Sequence, residues 1–192
     1  MQNLGFYFKL GWHHIIAWDA LDHLLFILAL SAVYLISDWK KVLVLITAFT
    51  LGHSLTLVLS TLDIIRINDK LVEVLIPCTI VVTAAFNFVK QNFDGSSLRR
   101  NYFFAFFFGL IHGMGYANAI RFIMAKDESM AISLFGFNVG LEVGQIAVVL
   151  IIMLCSLLIV NIAGLKRKWW VYINSAFAII LASKMVLERM FF

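Results

Sequence analysis

An all-α, polytopic membrane protein is the fold class this sequence predicts: about six transmembrane helices in one bundle, preceded by a short interfacial segment. Three observations predict it. The chain is 62% hydrophobic and only 14% charged, where soluble domains run at about 45–50% and about 25%. Its apolar residues fall in long runs separated by short charged turns, without the alternation of half-buried strands. Eighteen Phe residues, with a run at 103–108 broken only by Ala105, suit lipid-facing helices better than a wetted surface. A length of 192 residues makes one domain, 1–192, the natural count.

Residues 1–17, with Phe6, Tyr7, Phe8, Trp12, Lys9, His13 and His14, are aromatic and weakly amphipathic, the pattern of an interfacial helix. No basic stretch precedes a small-residue cleavage site, so a cleaved signal peptide is not expected. Trp18 reads as an interface anchor and Asp19 as the N-cap of a first span over 19–36. The apolar part of that span, 24–36, has 13 residues, about 20 Å of helix against a hydrocarbon core of about 30 Å. Crossing would therefore draw Asp22 and His23 inside the boundary. A carboxylate at the bilayer centre costs about 2.5–3.5 kcal/mol, which other groups must offset.

The second span, 42–62, carries His53 near its middle. The third, 71–89, holds Glu73 near one end and the sole proline, Pro77, expected to kink it. After a polar loop comes the fourth, 102–123, with His112 at mid-length. The apolar run 130–163 exceeds the roughly 20 residues a span needs, so it either tilts or begins with a broken piece around Gly136 and Gly140. A sixth span covers 169–190. Loops after the first, third and fifth spans hold eight Lys and Arg (Lys40, Lys41, Lys90, Arg99, Arg100, Lys166, Arg167, Lys168). The other side holds six (Lys9, Arg66, Lys70, Arg121, Lys126, Arg189). The positive-inside rule then puts both termini outside the cytoplasm.

Other functions are excluded more simply. The net charge of +4 is spread over loops, so no nucleic-acid partner is expected. Cys78 and Cys155 both lie in apolar segments, with no disulfide framework or paired-cysteine metal motif. No phosphate-binding loop is present, so ATP would not drive transport.

Asp22-His23, His53, His112 and Glu142 are polar groups within the spans, and His14 stands at the boundary. From the directions of the helices all can meet between the midplane and the terminus-side face, with Asp22-His23 at the outer end and His53, His112 and Glu142 deeper. On the fifth span Asn138, Glu142 and Gln145 share an arc of about 60°, a polar stripe that must face a cavity or partner. Gly136, Gly140 and Gly144 recur on the opposite face as a close-packing surface for another helix. Thr47, Thr50 and Ser54 accompany His53, and Gly109, Gly113 and Tyr116 accompany His112. Any one of these histidines or Glu142 can be a mere interhelical hydrogen-bonding group, and Glu73, Lys184 and Glu188 read as snorkelling or paired groups near helix ends. Taken together, His23, His53, His112 and Glu142 suit a divalent cation, a proton path or a cofactor. Imidazole and carboxylate without thiolate favour Ni, Co, Zn, Fe or Mn over Cu(I).

Four stretches carry a resemblance. They are His14-Ile15-Ile16 with Asp22-His23-Leu24-Leu25-Phe26, Thr47 to Thr56 around Gly52-His53, Phe108 to Ala117 around His112-Gly113, and Phe137 to Gln145 around Glu142. In this order they resemble the HupE/UreJ family, small six-helix proteins of the bacterial inner membrane viewed as nickel or cobalt permeases. The resemblance implies a functional link to hydrogenase and urease maturation, and it places His14, Asp22 and His23 on the metal path. No proline follows His14 and the gap to Asp22 is longer than in the hydrogenase-linked members, so the chain looks like a divergent branch.

The function expected is a permease for a divalent transition metal, nickel or cobalt first, with His14, Asp22, His23, His53, His112 and Glu142 as ligands. Asp19, Thr50, Ser54, Tyr116, Asn138 and Gln145 would support them. The alternative is an intramembrane zinc- or iron-type enzyme with the same ligands and Glu142 as acid/base; a haem between His53 and His112 is a third idea. Partners expected are the metal ion and the bilayer, with homo-oligomerisation left open.

Overall fold

The computed structural model describes residues 4–17, 20–89, 98–124 and 130–191, without the side chains of 98–100, 117–119 and 121–124. Among these residues there is helix and no strand. The elements are α1 (Leu4–Ile16), α2 (Leu21–Ser31), a 3-10 turn (Ile36–Asp38), α3 (Trp39–Thr61), α4 (Asp69–Val89), α5 (Leu98–Met124), α6 (Met130–Ser156) and α7 (Arg167–Phe191). A π-helical stretch, Leu157–Ile162, prolongs α6. Trp18 and Asp19, expected as anchor and N-cap, and residues 90–97 and 125–129 lie outside the described residues.

Four segments are long and apolar enough to cross a bilayer: Ile36–Thr61, Asp69–Val89, Met130–Ile162 and Arg167–Phe191. The protein is an integral membrane protein. α1 and α2 pass the same test together, as one element bent by 69°. The 27-residue α5, about 40 Å long, packs along α3.

The first span is built differently from expectation. α2 has 11 residues, about 16 Å. The missing length comes from α1, and Asp22 and His23 sit at the break between the two. α1 itself docks along α6, with Tyr7 and Ile15 fully buried. Phe6, Tyr7, Phe8 and Trp12, expected on an interfacial segment, lie on a helix that packs against α6.

Glycines let two helix pairs touch backbone to backbone. A methyl at Gly11 would overlap the Phe137 carbonyl oxygen, and one at Gly140 would overlap that of Phe8. On α3 and α5, methyls at Gly52, Gly109 and Gly113 would strike the carbonyl oxygens of Phe106, Phe49 and His53. Lipid gives no hydrophobic drive to helix association, so such close approach supplies it through dispersion. The glycine face of α6 docks α1, and α6 is helical straight through Gly136 and Gly140; its irregularity is the π stretch that begins at Leu157. Gly164, at φ 77°, then ends the helix in the left-handed conformation that suits glycine.

Polar contacts tie the remaining helices. Asn87 on α4 donates from one nitrogen to the Ala29 carbonyl of α2 (2.9 Å) and to Ser175 Oγ of α7 (3.0 Å). Arg167, opening α7, donates to the Val33 carbonyl after α2. Lys184 and Glu188 form an exposed i,i+4 pair at 3.5 Å.

Candidate metal centre

Four of the chain's five histidines converge at the break between α1 and α2. His14 comes from the last turn of α1, His23 from the first turn of α2, His53 from α3 and His112 from α5. Ring centroids are 4.6 Å apart for His14 and His23, 5.9 Å for His14 and His53, 6.2 Å for His23 and His53, and 5.2 Å for His23 and His112. One ligand nitrogen from each of His14, His23 and His53 lies within 4.8 Å of the others. Metal–nitrogen bonds of about 2.1 Å set tetrahedral ligands about 3.4 Å apart, so the triad must close by about an ångström or so around an ion.

The close helix pairs produce this convergence. His53 follows Gly52, and Gly113 follows His112, so the contacts that join α3 to α5 also bring their imidazoles to one level. Gly11 does the same for α1, one turn before His14.

Hydrogen bonds set two of the rings. Asp22 Oδ1 accepts from His23 twice, from the backbone N–H at 2.8 Å and from Nδ1 at 2.9 Å. The proton on His23 is thereby placed on Nδ1, leaving the Nε2 lone pair free. His112 Nδ1 donates to the Phe108 carbonyl at 2.9 Å, with the same consequence. Nε2 of His14, His23, His53 and His112 and Nδ1 of His53 are all buried without a hydrogen-bond partner. Each such group costs about 1–3 kcal/mol. Imidazole nitrogens gathered as in His14, His23 and His53 are a donor set suited to a borderline divalent metal.

A cavity of about 400 Å³ reaches this group, lined among others by His13, His14, Asp22, His112, Tyr116 and Arg189. On the far side stand Phe26 and Phe49, with Phe49 5.1 Å and Phe26 5.3 Å from His112. Phe26 also touches Phe108 at 6.0 Å. Phe108 in turn lines a second, mostly apolar cavity of about 300 Å³ between α2, α4 and α5. Tyr116 lies 4.0 Å from His14 and stacks on Phe137 at 5.4 Å.

The other expected residues go elsewhere. Glu142 accepts from Thr47 Oγ1 at 2.7 Å on the outer side of the α3–α6 contact. Gln145 accepts from Thr50 Oγ1 at 2.9 Å, and Ser54 donates to the Thr50 carbonyl at 2.6 Å. Asn138 keeps a buried, unpartnered Oδ1 on the same face of α6. Asp22 has both oxygens engaged, Oδ1 by His23 and Oδ2 by Arg189 at 3.3 Å. The expected order, Asp22-His23 outermost with His53, His112 and Glu142 deeper, gives way to a single group of four imidazoles with Asp22 behind one of them.

One participant was not evident from the sequence. Arg189 was counted only as a terminus-side charge, yet it bonds Asp22 and also the Glu73 carbonyl at 2.9 Å. The signal was Pro77, which lacks the N–H that would take the Glu73 carbonyl inside α4.

A family model described as HupE / UreJ protein matches residues 1–189. The chain belongs to the HupE/UreJ family. The match spans every helix that contributes to the histidine group. No curated protein and no solved structure matches this HupE/UreJ member.

Proposed function

We propose that this HupE/UreJ protein is a permease that carries a divalent transition metal, nickel or cobalt, across the bacterial inner membrane through the four-histidine group. The observation that carries the reading is the meeting of His14, His23 and His53 within 4.8 Å at a helix break. Broken helices are how transporters bring ion-binding groups to mid-membrane. The C-terminal end of α1, with its partial negative charge, faces the same place and favours a cation. The family's association with nickel and cobalt transport agrees with an all-imidazole donor set.

The metal is substrate here, so it must leave as well as bind. Neutral imidazoles that have to draw together hold an ion less tightly than a closed site with thiolates. The cavity on one side would admit the ion, and Phe26, between it and the second cavity, would close the way through until the aromatic side chains move. Asp22 keeps His23 in the ligating tautomer, and Tyr116 and Phe137 wall the ion from lipid. Outward-facing termini and a role in supplying metalloenzyme maturation belong to the same reading.

The alternative, a metal-dependent enzyme, needs an acid/base beside the ion. Glu142, the residue suited to that part, is held by Thr47 apart from the imidazoles. The test is metal analysis of purified protein together with ⁶³Ni²⁺ or Co²⁺ flux in proteoliposomes. Flux in wild type that disappears in His53→Ala supports the permease. Tight stoichiometric zinc or iron with no flux of any of these ions sinks it.

A further inference from the structure

We infer that Arg189, at the end of α7, is a positioning residue for the metal group. It acts through Asp22 to fix His23 as a ligand, and it is itself anchored on the backbone carbonyl that Pro77 frees. The inference rests on the metal reading above and deepens it.

The geometry is a chain of four groups from three helices. Pro77 has no N–H, so the carbonyl of Glu73, four residues earlier in α4, has no partner within its own helix. Arg189 fills that place: its Nη1 donates to the Glu73 oxygen at 2.9 Å. From the same guanidinium Nη2 donates to Asp22 Oδ2 at 3.3 Å, as a charge pair between α7 and α2. Asp22 then accepts the Nδ1 proton of His23 on its other oxygen. Two bonds on different helices fix the planar fork of an arginine in a way one bond cannot. Both Arg189 and Asp22 line the cavity that reaches the imidazoles.

Each link has a separate effect. Arg189 holds Oδ2 of the Asp22 carboxylate and so fixes which way its other oxygen faces. Oδ1 accepts the Nδ1–H of His23, which leaves Nε2 as the ring's ligand atom. A carboxylate–histidine pair of this kind fixes the tautomer of a metal ligand and raises its basicity, and loss of the outer partner costs about 10- to 100-fold in metal affinity. Arg167 makes a useful internal contrast. It clamps the other end of α7 to the Val33 carbonyl, with Asp38 3.7 Å away, far from any histidine.

The experiment has one arm without metal and one with it. In ¹⁵N-histidine-labelled protein, nitrogen shifts report the tautomer of His23. Wild type should show Nδ1–H, and Arg189→Gln should show a mixture. In the second arm, Co²⁺ affinity and the cobalt d–d band are measured for wild type, Arg189→Gln, Arg189→Lys, Asp22→Asn and the Asp22→Asn/Arg189→Gln pair. Arg189→Gln should weaken Co²⁺ binding about 10-fold or more and alter the band. Arg189→Lys, which keeps the charge but not the fork, should fall between it and wild type. In the Asp22→Asn background, Arg189→Gln should add little, because its path runs through Asp22. A wild-type tautomer and affinity in Arg189→Gln overturn the inference, as does a fully additive double variant. Wild type that binds no Co²⁺ overturns the metal reading instead, and the tautomer arm then still decides whether Arg189 positions His23. Should Arg189→Gln not fold, Arg189→Lys carries both arms, and a wild-type result in it with the charge kept but one bond lost refutes the need for the fork.

Discussion

Two polar regions lie along the helix contacts of this bundle, and their hydrogen bonding tells them apart. Along the α3–α6 contact, Thr47 is paired with Glu142 and Thr50 with Gln145, so the polar stripe of α6 mostly closes on its neighbour. At the α1–α2 break, four imidazoles meet and each keeps at least one buried nitrogen unpartnered. Both regions place polar groups within apolar segments, Thr47 and Glu142 on the outer side of their helix contact and the imidazoles largely buried. The first recovers the cost through interhelical hydrogen bonds, which average only about 0.6 kcal/mol each in membranes. The second leaves lone pairs that a cation would satisfy. Intramembrane polarity alone therefore does not mark a site; unmet coordination does.

The largest effect that sharpens this contrast is removal of a ligand. His53→Ala or His23→Ala should reduce Ni²⁺ or Co²⁺ affinity by more than the roughly 10- to 100-fold expected for loss of a supporting partner, as read by titration of detergent-purified protein. Flux should vanish with it. His13→Ala, one residue from His14 but exposed, is the control and should bind as wild type does.

Next come the glycines that bring the imidazoles to one level. Gly113→Ala would force a methyl against the His53 carbonyl and the Thr56 hydroxyl, and Gly109→Ala one against the Phe49 carbonyl. Overpacking of this kind costs about 1–3 kcal/mol, more where backbone must move. Both should lower the unfolding temperature and weaken metal binding together. Gly136→Ala, whose methyl would come no nearer than 3.0 Å to Leu4, should be milder, and Gly5→Ala, with nothing within 4 Å, neutral. A Gly113→Ala protein with full stability and full affinity would separate the helix contact from the site.

The helical class, the membrane-embedded character and the set of histidines in apolar segments were legible because each is a local signal: apolar run length, or an imidazole inside one. Periodicity also exposed the glycine face of α6. It could not say that the helix docked there is α1, because a stretch with Phe6, Tyr7, Lys9 and Trp12 suits a membrane interface as well as a packed groove. Depth counted along helices placed Glu142 with the histidines, since counting fixes height and not azimuth. Arg189 was hidden for a different reason: its two acceptors are 116 and 167 residues away, one of them a backbone carbonyl.

The smallest effect discriminates most sharply between the two regions. Glu142→Gln keeps a carbonyl oxygen to accept the Thr47 proton and removes only the carboxylate charge. If the α3–α6 stripe is a helix contact, stability should change by no more than about 1 kcal/mol, and Ni²⁺ or Co²⁺ affinity should stay well inside the tenfold that even a supporting partner commands. Thr50→Val, which strips the bond to Gln145, should cost a comparable fraction of a kilocalorie and likewise spare the metal. The measurement is affinity and flux side by side on the same protein. Unchanged affinity with reduced flux would make Glu142 a group that the ion or a proton meets in transit. A tenfold loss of affinity would instead return it to the ligand set and dissolve the division between the two regions.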